Sequence, residues 1–165
     1  MPEPKLNVVV LRDVTESDLH IFFEQQLDSD ANHMAAFTGK DPTDRAAFDA
    51  RWEKIFNSAE IIMLTIEFEG QVAGVVGSYV MFDDLEVTYW LGKAYWGKSI
   101  ATTALQQFLQ IQQIRPIHAR AAKDNSASIR VLEKCGFVLV REEKGFANAR
   151  EEEIAEVVMT LKTIP

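Results

Sequence analysis

Between residues 61 and 111 the hydrophobic spacing changes from period two to period 3.6, and this switch restricts the possible fold more than any other feature of the chain. Ile61 to Phe68 and Val72 to Phe82 are β-rich segments on either side of Glu69-Gly70, where glycine tolerates the positive φ of a tight turn. They are expected to pair as an antiparallel hairpin. Leu85 to Leu91 adds a third consecutive strand, after which Ile100, Ala104, Leu105, Phe108 and Ile111 share one helical face. A short strand follows Pro116 to about Ala122, then a helix from Ser126 to Lys134. A strand-helix-strand crossover makes its two strands parallel, so an antiparallel meander becomes a mixed sheet here.

The flanks complete an α/β (α+β) order of βααβββαβαββ. Asn7 to Arg12 reads as a strand, and Thr15 with Asp18 three positions later as a capping-box variant opening a helix through about Gln26. Residues 28–42 lack clean periodicity. Thr43 then caps a helix with Phe48, Trp52, Ile55 and Phe56 on one face, and two strands, roughly 136–143 and 153–162, close the chain. No repeat or linker divides the 165 residues, so one domain over 1–165 is expected.

Cys135 is the only cysteine, which excludes an intramolecular disulfide and cysteine-cluster zinc, and fits a cytoplasmic location. His20, His33 and His118 lie outside any local ligand spacing, so no metal is expected. Apolar runs fall short of the roughly 20 residues that span a bilayer, and the start MPEPKLNVVVLRD lacks the layout of a secretory signal. A net charge of -8 opposes a nucleic-acid partner.

In open α/β sheets ligands collect at the carboxyl ends of strands where connections diverge, here residues 91–101 and 123–128. Residues 92–99, GKAYWGKS, fit G-x-x-x-x-G-K-[ST] between a strand and a helix, the setting of a phosphate-binding P-loop. Against a P-loop NTPase stand Tyr95 and Trp96, bulky where backbone must curl around phosphates, and the lack of a later apolar strand ending in a magnesium-binding Asp. Under either reading, Gly97 permits close backbone approach, the helix start offers N–H groups and a positive dipole end, and Lys98 adds charge. These features attract a pyrophosphate.

Read from Trp96, WGKSIA followed by TTALQQFL resembles the pyrophosphate-binding turn Q/R-x-x-G-x-G/A of the GNAT acetyltransferase superfamily. Trp96 takes the first position, Ser99 replaces a glycine and Ala101 satisfies the last. KDNSASIRVLEKCGF is similar to the superfamily's N-x-x-S-x-x-x-x-E-K-x-G-F segment, with Asn125, Ser128, Gly136 and Phe137 in register. LEVTYWL resembles the strand A-E-I-G-Y-W-L of the branch of ribosomal-protein N-terminal alanine and serine acetyltransferases, aligning Glu86, Tyr89 and Trp90. LRDVTESDL resembles that branch's first strand and helix. The likeness covers nearly the whole chain, is patchiest over 27–56, and implies a GNAT-like, mostly antiparallel sheet with helices on both faces.

What the resemblance implies is N-acetyl transfer from acetyl-CoA to a primary amine by direct attack in a ternary complex, without metal or acyl-enzyme. It assigns the pantetheine arm to main-chain groups of Tyr89, Trp90 and Leu91, where one N–H polarises the thioester carbonyl. The pyrophosphate falls to Trp96, Gly97, Lys98, Ser99, Ile100, Ala101 and Thr102, and Asn125 holds the turn near the pantetheine. Glu86 is the candidate base, acting directly or through water. Where many relatives carry a proton-donating tyrosine this chain has Leu132, which leaves Ser128 as the substitute donor to the CoA thiolate. His33, Met34, Phe37, Arg45 and Trp52 fall in the segment that shapes the acceptor pocket. A small amine or a protein N-terminus as acceptor, and monomer or homodimer, both stay open. So do a noncatalytic acyl-CoA-binding sensor and, from GKAYWGKS, the NTPase.

Overall fold

The computed structural model describes residues 8–164. Its strands are β1 (Val9–Asp13), β2 (Ile62–Phe68), β3 (Gln71–Met81), β4 (Asp84–Leu91), β5 (Ile117–Ala122), β6 (Val138–Ala147) and β7 (Glu152–Leu161). The helices are α1 (Glu16–Gln26), α2 (Ser29–Ala35), α3 (Arg45–Phe56), α4 (Ile100–Ile111) and α5 (Ser126–Lys134). One sheet runs β1-β2-β3-β4-β5-β7-β6, and every pairing is antiparallel except β4 with β5. The mixed, mostly antiparallel sheet with helices on both faces is thus the one expected. At the β2–β3 hairpin Glu69 and Gly70 take φ of 52° and 78°, the left-handed pair of a two-residue type I′ connection.

Several local readings need correction. The order contains one more helix than expected, α2, which forms in the segment that lacked periodicity because Asp28 accepts a hydrogen bond from the Ala31 amide at 2.8 Å. The cap of α3 is Asp44, not Thr43, whose hydroxyl donates to Asp41 Oδ1 at 2.6 Å. Ile111 and Phe56 are 56% and 48% exposed, since each lies in the last turn of its helix, beyond the sheet it covers. Asn7, the expected start of β1, lies outside the described residues.

Two apolar layers enclose the sheet. On one face Ile100, Leu105, Phe108 and Leu132 of α4 and α5 pack against Ile66, Val76, Val87, Ile117 and Met159. On the other, Phe22, Phe48 and Trp52 of α1 and α3 cover Val72 and Val75, with the Phe22 and Trp52 rings stacked at 5.4 Å. The buried Asp18 ties α1 to the sheet. Its carboxylate accepts from Arg12 at 2.7 and 2.8 Å, the Thr15 amide at 3.0 Å and Thr65 Oγ1 at 2.8 Å. Burial pushes its pKa up, but these donors outweigh burial and hold it well below the usual carboxylate range.

Candidate functional site

Strands β3 and β4 share eight register pairs, whereas β4 and β5 share one, Glu86 with His118. Past that rung the sheet parts. The Gly92 amide donates to Ala73 O at 2.9 Å, and main-chain groups alternate sides along an antiparallel strand. The N–H and C=O groups of Trp90 therefore turn toward β3, and those of Tyr89 and Leu91 toward the parted side. Gly74 is required beside them, because a Cβ there would stand 2.0 Å from Trp90 O. Of the three main-chain positions named from sequence, Tyr89 and Leu91 line the gap, and Trp90 is committed to β3.

The chain leaves β4 through a 3-10 turn, Lys93–Tyr95, and reaches α4 by a turn in which Gly97 and Ser99 take φ of 75° and 60°. GKAYWGKS is thereby split, and only its second half opens the helix. The first intrahelical donor of α4 is the Thr103 amide, to Ser99 O at 3.1 Å, and no side chain caps the helix. The amides of Ile100, Ala101 and Thr102 precede that bond and stand at the positive end of a three-turn helix. Trp96 turns its indole back, Nε1 donating to Leu91 O at 3.1 Å, and Lys98 Nζ stands 5.9 Å from the centre of the Phe68 ring.

Glu86, Thr88 and Trp90 point to the opposite face of β4 from Val87, Tyr89 and Leu91, by strand alternation. Glu86 is 2% exposed, and its Oε1 accepts from Arg120 Nε on β5 at 3.1 Å. Arg120 Nη1 also donates to Glu143 Oε2 of β6 at 2.7 Å and Glu156 Oε1 of β7 at 3.0 Å. One guanidinium thus gathers three carboxylates from three strands, just beyond the single rung. Burial raises the Glu86 pKa above the ordinary carboxylate value, and the bond to Arg120 opposes that rise. Sequence reasoning missed Arg120. Its signal was an arginine alternating with apolar residues in IHARAA.

On the α4–α5 face the Tyr89 hydroxyl and Ser128 Oγ lie 2.6 Å apart. Burial pushes the Tyr89 phenol up to about 12. Asn125 caps α5 by accepting from the Ser128 amide at 3.3 Å, and its Nδ2 donates to Met34 O at 3.2 Å, so it ties α2 to the start of α5. Leu132 is a fully buried core residue. Cys135, whose thiol burial pushes up to about 11, is a packed side chain with little thiolate.

The five residues named for an acceptor pocket fall into two groups. His33, Met34 and Phe37 lie on or just after α2. Arg150 Nε donates to His33 O at 2.9 Å, and Phe37 packs against Gly145 and with Ala36, Ala122, Ala147 and Ile154. Arg45 and Trp52 belong to the α1–α3 layer over β3, Arg45 paired with Asp49 at 2.9 Å and stacked on Phe23 and Phe48. A groove of about 500 Å³ between α1 and α3 is lined by Arg45, Trp52, Leu19 and Phe56. Among the described residues, no helix is long and apolar enough to cross a membrane.

A model of the acetyltransferase (GNAT) domain family matches residues 9–138. Among solved structures, RimJ of Mycobacterium smegmatis, in complex with CoA-disulfide, superposes with a TM-score of 0.78 at 21% identity, over 94% of this chain and 82% of that one. RimL, a ribosomal L7/L12 α-N-protein acetyltransferase in complex with coenzyme A, also gives 0.78 at 18% identity, over 97% of each chain. The microcin C7 self-immunity acetyltransferase MccE, in complex with acetyl-CoA and AMP, gives 0.75 at 17% identity, over 95% of this chain and 93% of that one. No curated protein matches in sequence.

Proposed function

The chain belongs to the GNAT acetyltransferase family and is an acetyl-CoA-dependent N-acetyltransferase, and we propose that a primary amine attacks the thioester directly in a ternary complex at the β4–β5 gap. The observation that carries this reading is that the Tyr89 main chain and the Leu91 N–H lie past the one β4–β5 rung, beside the open start of α4, while Leu91 O accepts from Trp96 Nε1. A linear amide-bearing arm can pair with those strand groups while its diphosphate meets the amides of Ile100, Ala101 and Thr102. The Tyr89 or Leu91 N–H stabilises the oxyanion of the tetrahedral intermediate. Glu86, a buried carboxylate whose second oxygen has no hydrogen-bond partner among the described residues, removes the amine proton directly or through water. As the C–S bond breaks, Ser128 donates to the thiolate, which leaves as CoA once it has taken up a proton.

The likeness to RimL, which acts on an α-amine of a ribosomal protein, favours a protein N-terminus as the acceptor. The test is thiol release from acetyl-CoA across a panel of N-terminal peptides and small amines. Release with at least one amine is expected, together with a raised melting temperature, since ligand at 100 times its dissociation constant adds about 2.7 kcal/mol. Acetyl-CoA binding without release from any amine would instead make the chain an acyl-CoA sensor. Stabilisation by Mg-ATP alone would restore the P-loop reading.

Ser99 bears directly on the diphosphate site. Its left-handed φ of 60° favours glycine, and its Cβ lies in the turn that faces the ligand. Ser99→Gly is expected to tighten acetyl-CoA binding several-fold in calorimetry, because it removes a Cβ from the turn where the backbone must approach the diphosphate most closely. Weaker binding would show that the serine hydroxyl is itself a ligand.

A further inference from the structure

The hydroxyls of Tyr89 and Ser128, 2.6 Å apart, come from β4, one of the parted strands, and from the first turn of α5, the helix that follows the other. From this pair we infer that Tyr89 is a positioning residue for acetyl transfer: its O–H donates to Ser128 Oγ and thereby directs the Ser128 hydrogen at the departing thiolate. The inference rests on the assignment of Ser128 as donor and extends it to a residue whose side chain had no role.

Two hydroxyls carry two hydrogens, and one is spent on the bond between them. If Ser128 donated, the Tyr89 hydrogen would be left with the Ser128 carbonyl at 3.5 Å, the limit of a hydrogen bond. If Tyr89 donates, the spare hydrogen belongs to Ser128, itself half-buried in the first turn of α5. A thiolate forming in the gap is a charged acceptor, and a hydrogen bond to it is roughly twice as strong as one between neutral groups. Charge development therefore selects the order Tyr89 to Ser128 to sulfur. A lone serine in a helix has a competing choice, because its hydroxyl can turn back to a carbonyl of the preceding turn. Occupying one Oγ lone pair from Tyr89 restricts that rotation.

Tyr89 is not a proton source in this scheme. Burial holds its phenol near 12, well above an ordinary thiol at about 8.5, so passing the phenolic proton to the thiolate is uphill. The atoms balance without it. The amine nitrogen forms the C–N bond, the C–S pair goes to sulfur, and the proton that Glu86 takes from the amine is released to solvent, from which the thiolate takes up one directly or by way of the Ser128 hydroxyl. Tyr89 ends the cycle as it began.

The test compares Tyr89→Phe, Ser128→Ala and the double variant, assayed well below every melting temperature so that altered stability does not enter. Phenylalanine keeps the ring packed. The expected result is a kcat five- to tenfold lower in Tyr89→Phe, the size of one net hydrogen bond, with KM for acetyl-CoA unchanged and the double variant no slower than Ser128→Ala. A raised KM at constant kcat would mean that the hydroxyl only shapes the binding cleft, and losses that add in the double variant would mean independent roles. Either overturns the inference. If Ser128→Ala retains full kcat, the donor assignment itself fails. If Ser128→Ala is slow while Tyr89→Phe is normal, the inference about Tyr89 fails alone.

Discussion

Glu86→Gln is expected to lower kcat/KM about a hundredfold for lysine-like amines and only several-fold for α-amines. The difference follows from the acceptor's own proton. At pH 7 an amine of pKa about 10.4 needs roughly 4.6 kcal/mol to become the free base, and one near 7.8 only about 1 kcal/mol. Glutamine suits the test, because its side-chain oxygen still accepts from Arg120 Nε, 3.1 Å away in the parent, and so keeps the strands in place. Only the basicity is removed. The pH profile should change with it: in the parent, activity falls as the pH drops through a Glu86 pKa that burial has raised, and the glutamine variant loses that limb. Equal, small losses for both classes of amine would take Glu86 out of the mechanism.

Replacing Arg120 with methionine should cost about 3–5 kcal/mol of folding stability, as expected when one partner of a buried ion network is removed. Glu86 and Glu156, with side chains 2% and 15% exposed, are then left without their cation. The Glu86 carboxyl, which burial already raises and the bond to Arg120 holds down, would rise further above its unfolded value. A group raised on folding contributes stability below its unfolded pKa and loses it as pH rises through the folded one, so the variant should be markedly weaker at pH 8 than at pH 5. Urea melts at the two values read this directly. A loss under 1 kcal/mol with no dependence on pH would show that the three glutamates do not need the guanidinium. Arg120→Lys should fall between, since a point charge cannot reproduce the fork that reaches all three.

The elements that sequence alone conveys are those where local chemistry and tertiary packing agree. Gly70 follows Glu69 in a left-handed turn, so the β2–β3 hairpin is written in two residues. Ser99 stands at a glycine position, and its backbone takes the glycine conformation. The switch from strand to helix period after Leu91 conveys the parallel crossover and so the place where the sheet opens. Helix α2 is different, because two turns of SDANHMA hold no full apolar repeat, and it is fixed by Asp28 and by bonds from Asn125 and Arg150 far along the chain.

Arg120 is likewise silent in sequence, for its carboxylate partners lie 34, 23 and 36 residues away. The pairing of Tyr89 with Ser128 spans 39 residues and has no periodic signature. The resemblance groups Arg45 and Trp52 with His33 in the segment that shapes the acceptor pocket. The structure parts them, because the apolar stripe of α3 follows the aromatic layer over Val72 and Val75.

A sheet fastened at its middle by one rung has an interior border as well as an outer one. Unpaired strand borders recruit foreign strands and so seed aggregation. This one lies between the α4–α5 layer and the helices of the other face, which cover the sheet from both sides. A slender, unbranched chain with amides of its own can still enter. The walls that protect the protein from self-association are thus the same ones that choose its guest.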